Sequence, residues 1–211
     1  MEWIAVLGAV FAIFLPALVL PGPDFIGVVR SSMVHGTRAG LLTSLGVASC
    51  LGLYATLSLL GLSAILVEYQ MLAFAVRVGG GLYLAWLGAR LLFSRPDPLE
   101  IDTADRRSGR SPFTFGFTVT LTNPKAVVLF TSVFATSVTP DMPVWVMVAM
   151  VALVVASAAS WYTLVTLFIS SPPVLSRFSR ARSAIERVAG ACFIGIGGLI
   201  LADSRTPLSP S

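Results

Sequence analysis

Thr118-Val119-Thr120-Leu121-Thr122-Asn123-Pro124-Lys125-Ala126-Val127-Val128-Leu129-Phe130 reads as part of a membrane-spanning helix, yet it holds the only asparagine and the only lysine of the chain, with a proline between them. A cation near the bilayer centre costs about 2.5–3.5 kcal/mol on insertion scales, so an intramembrane lysine marks a functional site and needs a partner. Lys125 lies near the middle of its apolar segment, too deep for its stem to snorkel to an interface. About a hundred residues earlier the first apolar segment is broken by Pro21-Gly22-Pro23-Asp24, which sets a carboxylate behind two helix breakers in the corresponding place of the other half of the chain.

The composition decides the solvent. Of the 211 residues 56% are apolar and 11% charged, and the mean hydropathy is +0.88, whereas about a quarter of the residues of a soluble domain are charged. The chain reads as an all-α integral membrane protein forming a single domain over 1–211. Cys50 and Cys192 lie in apolar segments without a CxxC or a Cys/His cluster, so they read as core fillers, and neither a disulfide framework nor a metal site is expected. The net charge of +4 does not point to nucleic acid, because the arginines fall in short stretches between apolar segments and are not interleaved with aromatics on one surface. Met1-Glu2-Trp3 opens directly onto an apolar run without the basic region of a signal peptide, so the first helix is expected to be retained.

Six apolar segments stand at 3–34, 39–66, 70–93, 112–138, 143–169 and 184–203. The first is too long for one straight span and is expected to break at Pro21 to Pro23. Residues 94–111 form the longest polar connection and divide the chain into half-repeats of roughly 1–93 and 112–203. Basic residues alternate between connections: Arg30 and Arg38 follow the first segment, Arg90, Arg95, Arg106, Arg107 and Arg110 the third, and Arg177, Arg180, Arg182 and Arg187 the fifth. The positive-inside rule then puts those three connections in the cytoplasm and both termini outside.

A faint internal repeat is also present. Arg77-Val78-Gly79-Gly80 opens the third segment as Arg187-Val188-Ala189-Gly190 opens the sixth, with Gly88 and Gly198 at the same distance downstream. Three spans per half is an odd number, so the second copy enters the membrane from the opposite side. The expected architecture is six transmembrane helices in two inverted three-helix repeats with helices one and four broken, an arrangement in which broken helices meet near the midplane and build the substrate site. Stripes of small residues (Gly40, Ser44, Ala48 and Gly52; Gly81, Ala85 and Ala89; Gly190 and Gly198) predict close helix packing where lipid removes the hydrophobic incentive to associate.

Proline lacks an N–H and crowds the carbonyl four residues back, so Pro21 and Pro23 are expected to free the carbonyls of Ala17 and Val19, Pro124 that of Thr120, and Gly22 to permit an unusual turn. Freed carbonyls survive in hydrocarbon only where they face protein or line a wet cavity. Asp24, Asn123 and Lys125 are therefore read as substrate-binding or coupling residues around one cavity, with Pro21, Gly22, Pro23 and Pro124 shaping it. A zwitterion would place its ammonium at Asp24 and its carboxylate at Lys125 and the Asn123 amide, and occupancy would be coupled to the protonation of Asp24. Arg77, Thr122 and Tyr54 are candidates for a supporting layer. Ser157, Ser160, Trp161 and Tyr162 are further amphipathic groups within spans, and His35 reads as a surface residue. No HExxH, no GxSxG and no second intramembrane carboxylate beside Asp24 suggests an enzyme or a cofactor. A cation or metal-ion efflux protein, or a channel, is the alternative, since one carboxylate in a break can coordinate a cation; the ammonium of Lys125 argues against it by repulsion.

The six-segment pattern with Pro21-Gly22-Pro23-Asp24, the run Gly81-Leu82-Tyr83-Leu84 followed by Leu87-Gly88-Ala89-Arg90, and Asn123-Pro124-Lys125-Ala126 resembles the LysE/RhtB family of bacterial amino-acid exporters over nearly the whole chain. The resemblance implies a multi-pass exporter of the bacterial plasma membrane, driven by a proton or other ion gradient and often viewed as a homodimer. Its substrates would be amino acids or close derivatives such as homoserine, homoserine lactone, threonine, leucine, lysine or arginine. With no extra buried acid pair to select a basic side chain, a small neutral amino acid is the preferred expectation.

Overall fold

The structure, a computed structural model, describes residues 2–68, 70–93, 111–137 and 141–203, and these are helical with short connections. In hydrocarbon every backbone N–H and C=O must be satisfied within its own segment or by protein, which leaves an apolar run little choice but helix. The first apolar segment forms α1 (Glu2–Val19) and α2 (Pro23–His35), inclined by 48° at the break between them. The second and third form α3 (Thr37–Glu68) and α4 (Gln70–Phe93). The fourth is again split, into α5 (Pro112–Leu121) and α6 (Pro124–Ser137). The fifth is α7 (Val144–Leu164), ending in a π-helical turn (Val165–Ile169), and the sixth is α8 (Pro172–Asp203). Pro23, Pro112, Pro124 and Pro172 each open a helix, where the missing N–H would have no intrahelical partner anyway.

Among the described residues, three helical stretches are long and apolar enough to cross a bilayer, namely Thr37–Gly61, Val144–Ile169 and Pro173–Ala202. The bent pair Trp3–Val19 and Pro23–His35 makes a fourth when counted as one broken span. Val78–Phe93 and Pro112–Leu121 are shorter apolar helices. Leu57, Trp86, Phe93, Trp145, Val148 and Phe168 are exposed, an apolar surface far larger than a protein in water tolerates and suited to lipid.

The sixth segment differs from its sequence reading: α8 begins at Pro172, not near 184. Average hydropathy hides the reason. Over this stretch Leu175, Phe178 and Ile185 pack against the core while Arg177 and Arg180 are exposed, so it is an amphipathic helix and not a loop. The 94–110 part of the polar connection lies outside the described residues, and Ser111 caps α5.

Small residues set the packing. Gly40 meets Thr166, the Ser44 hydroxyl contacts the Tyr162 carbonyl at 3.1 Å, and Gly52 meets Val155, so α3 and α7 run antiparallel. Gly81 meets Leu201 and Gly88 meets Gly190, which makes α4 and α8 antiparallel as well. By contrast α5 follows α3 in the same direction, with Gly116 against Thr43 and the Tyr54 hydroxyl reaching Leu121. One expectation needs adjusting: Gly190 faces α4 but Gly198 has nothing within 4 Å, and Gly197 takes its place against Gly81 and Ala85. At 3.6 residues per turn two turns span about seven residues, so Gly197 and not Gly198 shares the face of Gly190. Cys50 is fully buried as a core filler, but Cys192 is exposed on α8.

Candidate functional site

The two breaks face one another. Asp24 is the second residue of α2 and Lys125 the second of α6, so both charges stand in the first turn of a helix that follows an interruption. A carboxylate suits the positive end of a helix dipole, and an ammonium does not. Lys125 escapes that conflict by reaching across to the end of α1, where its Nζ donates to the Ala17 carbonyl at 2.9 Å. Pro21 has no N–H for that carbonyl, so the lysine satisfies the group that the first break exposes. The cation thus lies at the negative end of one helix while its backbone opens another.

Asp24 is buried, at 9% exposure, and its carboxylate is held from the second half of the chain. Thr120 Oγ1 donates to Oδ1 and Asn123 Nδ2 to Oδ2, both at 3.1 Å. Asn123 serves both partners, because its Oδ1 accepts the Lys125 backbone N–H at 3.1 Å. This bond supplies the acceptor that the Lys125 N–H loses when the helix breaks. The Leu121 carbonyl, left without it, accepts from the Tyr54 hydroxyl at 2.7 Å. Pro124 frees the Thr120 carbonyl as its ring chemistry requires, and a tight turn then satisfies it from the Asn123 N–H at 3.0 Å. Each charged side chain therefore belongs to one half and is anchored on the break of the other.

Asp24, Asn123, Lys125 and Gly22 line one cavity of about 30 Å³, lined elsewhere by apolar and aromatic groups such as Phe14, Leu51, Phe130 and Tyr162. That leaves room for ordered water between the two charged groups. Asp24 and Lys125 do not form an ion pair here; they share the cavity while each is bonded to other groups. Gly22 does not adopt the unusual turn its sequence suggests. Its φ of −154° and ψ of −166° are extended and open to any residue, and a methyl group there would lie 3.9 Å from Lys125 Nζ. The glycine keeps space beside the ammonium. Among the described residues the positive φ instead occurs at Gly36, +84°, in the one-residue link from α2 to α3.

Other candidates sit elsewhere. Thr122 is exposed and its hydroxyl bonds back to the Thr118 carbonyl at 3.0 Å, away from Asp24. Thr120 takes the position beside the carboxylate, one helical turn before Pro124 and on the face that the break turns toward α2. Arg77 lies in α4, and its side-chain surroundings fall outside the described residues. Glu186, in α8, is a second buried carboxylate that the sequence reading missed, and it pairs with Arg182 one turn before it. Among the described residues no group of three or more His, Cys, Asp or Glu is placed to hold a metal.

The two threonines make a paired prediction. Thr120→Val removes a hydrogen bond to a buried charge, worth about 1.5–3 kcal/mol, and is expected to lower the apparent melting temperature in detergent by roughly 3–10 °C. Thr122→Val deletes only a bond within its own helix and is expected to change it by less than about 2 °C. Equal shifts for the two variants would contradict this assignment of the hydroxyls.

A family model described as LysE type translocator matches residues 15–204. The chain is 32% identical over 189 residues to a threonine efflux protein of Escherichia coli (strain K12), covering 86% of this chain and 90% of that one. It is 30% identical over 184 residues to the uncharacterized membrane protein YahN of the same strain, covering 86% and 82%. A leucine efflux protein of Enterobacter sp. (strain 638) is 30% identical over 135 residues, 63% of this chain and 61% of that protein. No solved structure matches the chain. A family match that runs through both breaks, with Asp24, Asn123 and Lys125, places the chain in the LysE type translocator family.

Proposed function

We propose that this chain is a secondary active exporter of small neutral amino acids, threonine or a close derivative such as homoserine among them, across the bacterial plasma membrane. One observation carries the reading: an acid and an amine, Asp24 and Lys125, line a single cavity at two helix breaks and are not consumed by one another. The substrate ammonium would bind Asp24 and its carboxylate would bind Lys125 and the Asn123 amide. The remaining lining is apolar and carries no further charge, which suits an uncharged side chain. Relatives named for threonine and leucine efflux support the same class.

In this reading the chain crosses the membrane six times, with the pairs α1–α2 and α5–α6 each forming one broken span. The antiparallel approaches of α3 to α7 and of α4 to α8 support an inverted pair of three-span halves, since equivalent third and sixth spans must run in opposite directions. Both charges sit where the halves meet. The arginine-rich ends of α2, α4 and α8 would face the cytoplasm and the chain termini the outside. Loading from one side and release to the other require the walls of the cavity to move, as alternating access demands. Proton coupling would enter through Asp24, whose negative charge holds the substrate ammonium and whose protonation releases it.

Counterflow in proteoliposomes with a panel of labelled amino acids, with and without an imposed pH gradient, tests the reading. Uptake of one or a few neutral amino acids that responds to the gradient is the expected result. Absence of amino-acid flux accompanied by movement of an inorganic cation would overturn it.

A further inference from the structure

Alternating access to the cavity that holds Asp24 and Lys125 requires one of its walls to move. The break side is pinned by the bonds of Lys125 to Ala17, of Thr120 and Asn123 to Asp24, and of Tyr54 to Leu121. The α3–α7 side is pinned by Ser44, which contacts both the Tyr162 carbonyl and the Thr166 hydroxyl, and by the close approach at Gly40 and Gly52. Toward the arginine-rich end the closure is of another kind. Phe25, adjacent to Asp24 and itself lining the cavity, is covered by Phe178 of α8, the rings stacked with centroids 4.9 Å apart and 18° between planes. Trp161 lies behind Phe178, with centroids 6.5 Å apart.

Two further features single out this contact. The segment of α8 that carries Phe178 follows a π-helical turn and the break at Ser170 and Ser171, and short π segments recur at functional sites. Ser176 and Arg180 direct their donors to carbonyls within α8 itself, and the aromatic stack is a contact that separates without exposing a hydrogen-bonding group. The indole N–H of Trp161 is also buried without an acceptor among the described residues, so the packing around Phe178 leaves a polar group unsatisfied that a rearrangement can satisfy.

We propose that the first half of α8, from Pro172 to Glu186, is the inner gate of the substrate site and that Phe178 is its plug, which must leave Phe25 before substrate reaches Asp24. The proposal rests on the export reading and on the arginine-rich end facing the cytoplasm, the side from which an exporter loads. The far half of α8 stays clamped to α4 through Gly190 and Gly197, so the gate moves as the free end of a lever or together with α4.

The test uses full-length protein with Cys50 and Cys192 replaced by alanine, carrying Phe178→Cys in reconstituted vesicles. Labelling by a membrane-impermeant maleimide is followed with and without saturating threonine. The expected result is a change in labelling rate of at least fivefold at Phe178→Cys, with less than a twofold change at Arg180→Cys, which is already exposed on the outer face of the same helix. Leu175→Cys, which leaves the aromatic stack intact, is expected to follow Phe178→Cys. Threonine counterflow by the same cysteine-free protein is measured alongside. Flux with invariant labelling at both inward positions overturns the gate alone, whereas absence of flux for every amino acid of the panel overturns the export reading and the gate with it.

Discussion

Asp24→Asn is expected to leave the protein folded and to reduce amino-acid counterflow by at least about thirtyfold, because a substrate ammonium buried without its carboxylate loses about 2–5 kcal/mol of binding and each 1.4 kcal/mol is a factor of ten. The side chain keeps its size, and the Thr120 hydroxyl can turn toward the Gly116 carbonyl, 3.1 Å away, and accept from the new amide. The scaffold therefore survives while the cavity loses its one anion and keeps the ammonium of Lys125. A substrate ammonium then meets a net cation in a medium where charge is poorly screened. Lys125→Met is expected to lose flux to a similar degree by removing the counter-charge for the substrate carboxylate. It should also lower stability by about 1–3 kcal/mol, since the Ala17 carbonyl is left bare at a helix break. Flux and melting temperature thus separate the two residues: Asp24→Asn damages the first, Lys125→Met both. Asp24→Asn with flux near the unaltered level would remove the carboxylate from the site.

Much of this was legible in the chain because helix breakers and charges are conspicuous in an apolar background. A single lysine after Asn123-Pro124 and a carboxylate after Pro21-Gly22-Pro23 have few explanations in hydrocarbon, and the structure places both at helix starts around one cavity. The pairing was not legible. Opposite charges suggest a direct ion pair, but geometry sends Lys125 to the Ala17 carbonyl, because a freed backbone acceptor at a helix end competes for the same ammonium. Choosing between Thr120 and Thr122 required the direction of the break, which two alternate residues on a distorted helix end do not reveal. Phe178 and Glu186 were invisible for a different reason. They lie in an arginine-rich stretch whose average polarity resembles a loop, and only its helical periodicity, with Leu175, Phe178 and Ile185 on one side, shows that it packs against the core.

A large structural effect is expected at Gly88, where α4 and α8 touch backbone to backbone. A methyl group built on Gly88 would lie 2.5 Å from the Gly190 carbonyl oxygen and 2.9 Å from the Ile194 nitrogen, and one on Gly190 would lie 2.7 Å from the Gly88 carbonyl oxygen. Neither neighbour is a flexible side chain that can swing aside, so even alanine requires the helices to separate. In a bilayer the separation is not offset by hydrophobic gain, since lipid tails replace the lost contacts at little cost and helix association rests on close packing. Overpacking costs about 1–3 kcal/mol per site in soluble cores, and a leucine wedged between two backbones belongs at or above the top of that range. Gly88→Leu is therefore expected to lower the apparent melting temperature by at least about 5 °C and to reduce the yield of monodisperse protein in detergent. Gly88→Ala should fall between it and the unaltered chain. Gly198→Leu, at a position with nothing within 4 Å, provides the contrast and is expected to melt with the parent protein. A Gly88→Leu protein as stable as Gly198→Leu would mean that α4 and α8 do not meet at this seam, and with it would go the antiparallel pairing that supports the two halves being inverted copies.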